Sequence, residues 1–318
     1  MIFILRFCSL FTYLALCYTA IKITPIHKLL FFAIFLLPLN LYQAGAISTD
    51  GLTLGLVFLF ISYTLKLKFA DDNLITKKEN IIWTSLITLI TICKYAYLPL
   101  ILLYFLIPSK KFENKKIYFK NFILILLLNV FITLFFVYHV ISISQNCKTE
   151  LTETTIDKKL LIQHILIHPI EYLKMIVLSI VKLHRFYINN LITSFGWNST
   201  MVPIFITNLF YAILFLCAFF KEETEKLFSY DLKERSILIF SGLMIFFIVI
   251  TSVYLIYQKS PIITGVQGRY LFPLLPMFFI MFFNKKYYLK NRIIPVFVIS
   301  FMQILLFISL LTLISRFY

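Results

Sequence analysis

A run of about twenty residues without Asp, Glu, Lys or Arg leaves a chain few ways to fold, and residues 122–140 and 237–256 are two such runs. Backbone N–H and C=O groups in hydrocarbon have no water to bond, so only helices and closed barrels can cross it. Barrel strands alternate apolar with polar residues, and these runs do not. Helices follow. Composition closes the soluble route: 61% of the 318 residues are hydrophobic and 14% charged, with a mean hydropathy of +0.92. A water-soluble fold of this length has too little interior to hide that much Leu, Ile and Phe. The expected fold is all-α, a polytopic transmembrane bundle forming a single domain over residues 1–318.

The apolar segments fall at 2–21, 29–43, 52–65, 81–93, 96–107, 121–141, 202–220, 236–257, 270–283 and 293–314, about ten membrane segments. The first has Arg6 ahead of its apolar stretch but no small-x-small cleavage site, and it reads as a helix. The formal charge of +16 suggests nucleic acid until the cations are located. Loops 22–28, 66–80, 108–120, 221–235 and 284–292 hold 19 of the 30 Lys and Arg residues. Short cationic loops lie in the cytoplasm, so the charge reports topology and no nucleic-acid partner is expected. This assignment puts the N-terminus outside. It makes 29–65 a hairpin with its turn at 42–51, and 81–107 a hairpin of two short helices with Lys94 at the turn. A continuous helix over 81–107 would export the lysine-rich loop 108–120. Residues 142–201 become one long extracytoplasmic loop. Within it Leu160, Leu161, Ile165, Leu173, Ile176, Val177, Ile180 and Val181 recur at helical spacing. That pattern fits a helix lying on the membrane surface or one packing on the bundle. Five cysteines, Cys8, Cys17, Cys93, Cys147 and Cys217, show no paired spacing and imply neither a disulfide framework nor a metal site.

On this topology the chemically distinctive residues gather at one face. Gln43, Ser48 and Asp50 lie in the first outer turn. A carboxylate between apolar helices is expensive and marks function, although Ser48, Thr49 or Asp50 also suits a helix N-cap. Lys94 and Tyr95 sit in the second outer turn, where phosphate binding competes with snorkelling and an aromatic belt. Gly265, Gln267, Gly268, Arg269 and Tyr270 form a third cluster. Its glycines permit close backbone approach, and the Arg269 fork suits phosphate. His184, Arg185 and Trp197, with Ser194-Phe195-Gly196 before it, form a fourth that suits sugar or a membrane interface. Cations, a carboxylate, amides and aromatics on one face fit a ligand with a phosphate or sugar head and a lipid tail.

These clusters resemble a bacterial membrane-protein family catalogued as domain of unknown function 2142, whose members look like distant relatives of the GT-C-type glycosyltransferases. The likeness rests on Pro38-Leu39-Asn40-Leu41-Tyr42-Gln43 through Ser48-Thr49-Asp50, on Lys94-Tyr95-Ala96-Tyr97-Leu98-Pro99, and most specifically on Gly265-Val266-Gln267-Gly268-Arg269-Tyr270-Leu271-Phe272-Pro273. It covers nearly the whole chain. Members usually begin with one more helix and an outer Pro-Asp-Glu-x-x-His loop, so the resemblance implies an N-terminally shortened member.

The resemblance also implies an activity: transfer of sugar from a polyprenyl-phosphate donor at the outer face of the bacterial cytoplasmic membrane, in cell-surface polysaccharide assembly. In that reading Asp50 is the remaining catalytic carboxylate. Lys94 and Arg269 bind phosphate, and Gln43, Ser48, Tyr95, His184, Arg185, Trp197, Gln267, Gly268 and Tyr270 complete the substrate site. Membrane lipid and a lipid-linked sugar are the expected partners. No cofactor is expected, and nothing in the chain indicates the divalent metal that some relatives use. Two other classes stay open: a transporter or flippase of a lipid-linked or small polar substrate, and a non-catalytic membrane protein.

Overall fold

The helix Thr49–Phe69 (α4) is the axis of the protein. In its apolar stretch 78% of the residues are buried, against 11% in Ile2–Ile23 (α1) and in the apolar part of Lys115–Asn146 (α6). The computed structural model describes residues 1–69, 74–146, 158–196, 200–222, 225, 228–257, 262–283, 288–289 and 293–317. α1 packs along α4, and Gly55 makes that possible: a Cβ there would lie 2.8 Å from the Leu16 side chain.

Lys28–Phe35 (α2) and Pro38–Ala44 (α3) are one helix broken by Pro38, which has no N–H to donate and crowds the carbonyl four residues back. The freed carbonyls find partners inside the protein. Ile34 O accepts from Asn40 Nδ2 at 2.6 Å, and Phe35 O accepts from the Tyr13 hydroxyl at 2.9 Å. The Leu39 N–H, which a continuous helix would spend on Phe35, reaches Ile192 O at 3.0 Å instead. Phe35 and Phe58 meet at 4.5 Å between ring centres, so α2–α3 and α4 form the first hairpin.

Lys77–Cys93 (α5) starts at a capping box, in which the Thr76 side chain accepts from Glu79 N and Glu79 reaches back to Thr76 N. It ends at Lys94, and a 3-10 helix, Tyr95–Leu106 with Pro99 inside it, returns alongside. Trp83 faces Tyr104 at 5.4 Å and Ile75 N donates to Lys111 O at 2.8 Å. Both pairs are centred on residues 93–94, so this is the second hairpin with Lys94 at its turn.

After α6 come Lys158–Ile167 (α7) and Pro169–Asn190 (α8), bent by 101° at His168–Pro169. Ser194–Phe195 (β1) pairs antiparallel with Thr200–Met201 (β2). Ile204–Phe219 (α9), Leu232–Tyr257 (α10), Leu274–Ile280 (α11) and Ile293–Phe317 (α12) follow. Lys221–Glu222 (β3) and Tyr288–Leu289 (β4) form a short parallel pair.

Every apolar segment read from the sequence contains helix, but the membrane-crossing count is coarser than ten. Among the described residues five helices (α1, α4, α6, α10, α12) are long and apolar enough to cross, and the bent pair α7–α8 would make a sixth. Prolines explain part of the difference: Pro38 splits 29–43, and Pro273 separates the turn Gly268–Leu271 from α11. The long loop expected over 142–201 also changes. α6 runs to Asn146, and much of the remainder is helix. Large apolar side chains such as Phe3 on α1, Phe131 on α6 and Phe297 on α12 are exposed. In water they would be sticky patches; in a bilayer they face acyl chains.

The cationic loops meet at one end. Lys68 pairs with Glu234, the Lys111 ammonium donates to Leu67 O, the His27 N–H donates to Glu225, and β3 pairs with β4. Asp50 begins α4 and Lys68 ends it, a rise of about 27 Å at 1.5 Å per residue, close to the roughly 30 Å thickness of bilayer hydrocarbon.

Candidate functional site

At the opposite end the sequence clusters converge on Asp50. Ser48 Oγ accepts the Asp50 N–H at 3.3 Å, which makes Ser48 the cap of α4. The Asp50 carboxylate therefore has other partners. Lys94 Nζ lies 2.5 Å from Oδ1, and Arg269 Nη1 lies 3.4 Å from Oδ2. Two cations share one buried carboxylate, so the triad carries a formal charge of +1.

Each cation is placed by its own element. Lys94 sits where α5 stops, and its ammonium lies over the rings of Tyr270 at 5.1 Å and Tyr97 at 5.6 Å. Arg269 rides on the short 3-10 turn Gly268–Leu271. A buried Tyr97 hydroxyl donates to the carbonyls of Tyr270 at 3.2 Å and Arg269 at 3.4 Å, tying that turn to the second hairpin. Gly268 fixes the other side. A Cβ there would stand 1.9 Å from Asn190 O, so no larger residue lets the turn sit against the end of α8. Arg269 Nη2 donates to the Tyr270 hydroxyl at 3.2 Å, and Arg269 Nε is buried with no partner among the described residues. A buried guanidinium N–H without an acceptor is a costly state that an incoming anion would relieve.

Beside the triad lies a cleft of about 260 Å³. Lys94, Tyr95, Tyr97 and Tyr270 line its polar side, and Cys93 with Val249, Val253 and Ile256 of α10 line its apolar side. The arrangement can hold a singly charged anionic head on Lys94 and Arg269 with a hydrocarbon chain beneath it.

The other residues named from sequence scatter. Gln43 is buried at the end of α3, and Gln267 supplies the carbonyl that starts the Arg269 turn. His184 and Arg185 are exposed on α8, where the His184 ring bonds only the Val181 carbonyl of its own helix among the described residues. Trp197 and Cys147 lie outside the described residues; Cys8, Cys17, Cys93 and Cys217 are free. Tyr97 entered the sequence reading only as part of the family likeness, and Asn190 was missed. Pro99, two residues on, has no N–H to give the Tyr95 carbonyl an α-helical bond, and was the available signal for Tyr97. Among the described residues no three His, Cys, Asp or Glu side chains converge as metal ligands would.

No curated protein and no solved structure matches the chain. A family model described as predicted membrane protein, domain of unknown function 2142, matches residues 1–278, which include Asp50, Lys94, Gly268 and Arg269, and the chain belongs to this family.

Proposed function

We propose that the protein is a multi-pass glycosyltransferase-like enzyme that takes sugar from a polyprenyl-phosphate donor at the outer face of the bacterial cytoplasmic membrane. The observation that carries this reading is the convergence of Lys94 and Arg269 on Asp50 beside a cleft with one apolar wall. A sugar phosphodiester carries one negative charge, which the +1 triad complements. When it binds, its oxygens replace Asp50 as partner of the two cations, and Arg269 Nε gains an acceptor. The bond from the anomeric carbon to the phosphate oxygen then breaks, with its electrons passing to that oxygen. Lys94 and Arg269 stabilise the second negative charge that develops there. The acceptor hydroxyl forms the new glycosidic bond and gives its proton to the freed Asp50 carboxylate. Tyr95 and Tyr270 wall the substrate, while Ser48, Gln267 and Gly268 act by holding the backbone that presents the charges.

The broken α2–α3 helix is the feature a transporter would use, because unwound carbonyls coordinate ions there. Here the Ile34 and Phe35 carbonyls already accept from Asn40 and Tyr13, which favours the transferase. The test is transfer of radiolabelled sugar by membranes of the producing strain. Arg269→Ala should abolish it, and Lys233→Ala, a change on the exposed start of α10, should leave it intact. Normal surface glycan in an Arg269→Ala strain would refute the assignment.

A further inference from the structure

α8 presents three distinct faces. Tyr172, Ile176, Ser179, Tyr187 and Asn190 are buried and follow one helical stripe. Leu173, Val177, Ile180, Val181 and Ile188 are exposed along a second. Lys174, Lys182 and Arg185, also exposed, form the third, with Glu171 at its start. A helix in water has no use for the second stripe, and a helix crossing hydrocarbon would not carry the third.

The contacts of the buried stripe fix its direction. The Tyr172 hydroxyl meets Thr251 Oγ1 at 2.7 Å, Ser179 Oγ accepts from Ile263 N at 2.8 Å, and Asn190 abuts Gly268. Thr251 lies some 26 Å along α10 from Glu234 at 1.5 Å per residue, at the level of the Lys94 cleft, which Val249 and Ser252 line. All three partners are thus at the Asp50 end, although they are spread over 18 residue steps of α8 or about 27 Å. α8 therefore runs across that end of the bundle.

We propose that α8 lies in the headgroup layer, its Leu173–Val177–Val181 stripe in the acyl boundary and Lys174, Lys182 and Arg185 bound to anionic lipid headgroups. The triplet spans about 17 Å, and with Glu171, 3.7 Å from His164 Nε2, at its start the third face carries three cations against one carboxylate among the described residues. Because Asn190 and Ser179 seat residues 263–268, lipid bound to α8 steadies the turn that carries Arg269. The proposal is independent of the reaction assigned to the site.

The test uses the purified full chain in zwitterionic detergent, with thermal unfolding followed as phosphatidylglycerol or phosphatidylcholine is added. Wild type should gain more from phosphatidylglycerol. K174Q/K182Q/R185Q should lose more than half of that difference, and K115Q/K116Q/K120Q at the opposite end should lose less than half. A full phosphatidylglycerol response in the α8 variant would overturn the headgroup assignment. A second readout reports the acyl face: in bilayers with brominated acyl chains, tryptophan from Val177→Trp should be quenched more strongly than that from Lys182→Trp. Equal quenching of the two would show that α8 does not lie at the boundary.

Discussion

α4 carries a buried cation–carboxylate cluster at each end, and the two are built differently. At one end the Lys68 side chain is 4% exposed, paired with Glu234 and packed against the rings of Phe69 and Tyr230. His27, whose φ of 61° turns α1 into α2, stacks there on Tyr230 and meets Phe283 edge-on. At the other end one member of the pair is again 21% exposed, Lys94, with Asp50 at 11%, but a second cation is present and a cleft adjoins. The first cluster matches Lys68 with one carboxylate, Glu234, whose side chain is 21% exposed, and covers the ammonium with aromatic rings. The second leaves an excess positive charge and an Arg269 N–H that has no partner among the described residues. Charge between helices is therefore not the mark of a site. Unbalanced charge with a route to it is.

The largest effect expected on this contrast is at Gly268. Gly268→Ala drives a methyl into Asn190 O and should cost about 3 kcal/mol, read as a fall in detergent melting temperature together with loss of activity. Next comes a pair of matched substitutions. Lys68→Met strands Glu234 and should cost about 3 kcal/mol, while Lys68→Met/Glu234→Leu should recover most of it, because replacing a whole buried pair is far cheaper than halving one. Lys94→Met leaves Asp50 to Arg269 and should cost about 1 kcal/mol yet remove activity. Equal destabilisation by the two lysine changes would erase the distinction between the ends. The smallest effect near neutral pH is a pH slope at His27. Burial pushes its imidazole down to about 3, so the native protein keeps it neutral while an unfolded chain takes up a proton below about 6.5. Stability is thus full above pH 6.5 and is lost as pH falls toward 3, by about 2 kcal/mol at pH 5. His27→Asn, which tolerates left-handed backbone, should flatten that slope in a pH series of melting temperatures.

Much of this was legible in the residues. The apolar runs gave the helices, and the cationic loops grouped five segments that the structure joins at one end. The sidedness argument alone put Lys94 at a turn, within reach of Asp50 and Arg269. Three things were hidden. Helix length was one, since Pro38 and Pro273 cut segments that hydropathy alone reads as continuous. The phase of α8 was another: whether His184 and Arg185 face the bundle or the solvent depends on which stripe the 263–268 segment selects, and that is tertiary packing. The Lys68 cluster was the third, because Glu225, Glu234 and His27 lie in loops where charge already had a topological explanation.

The central claim is that Lys94 and Arg269 form a lipid-phosphate site. Its most direct test is equilibrium binding of a short polyprenyl phosphate to the purified protein in detergent, comparing wild type with Arg269→Gln and Lys94→Gln. The account predicts saturable binding that weakens at least tenfold in each variant while melting temperatures stay close to wild type. Undiminished affinity in both folded variants would contradict it.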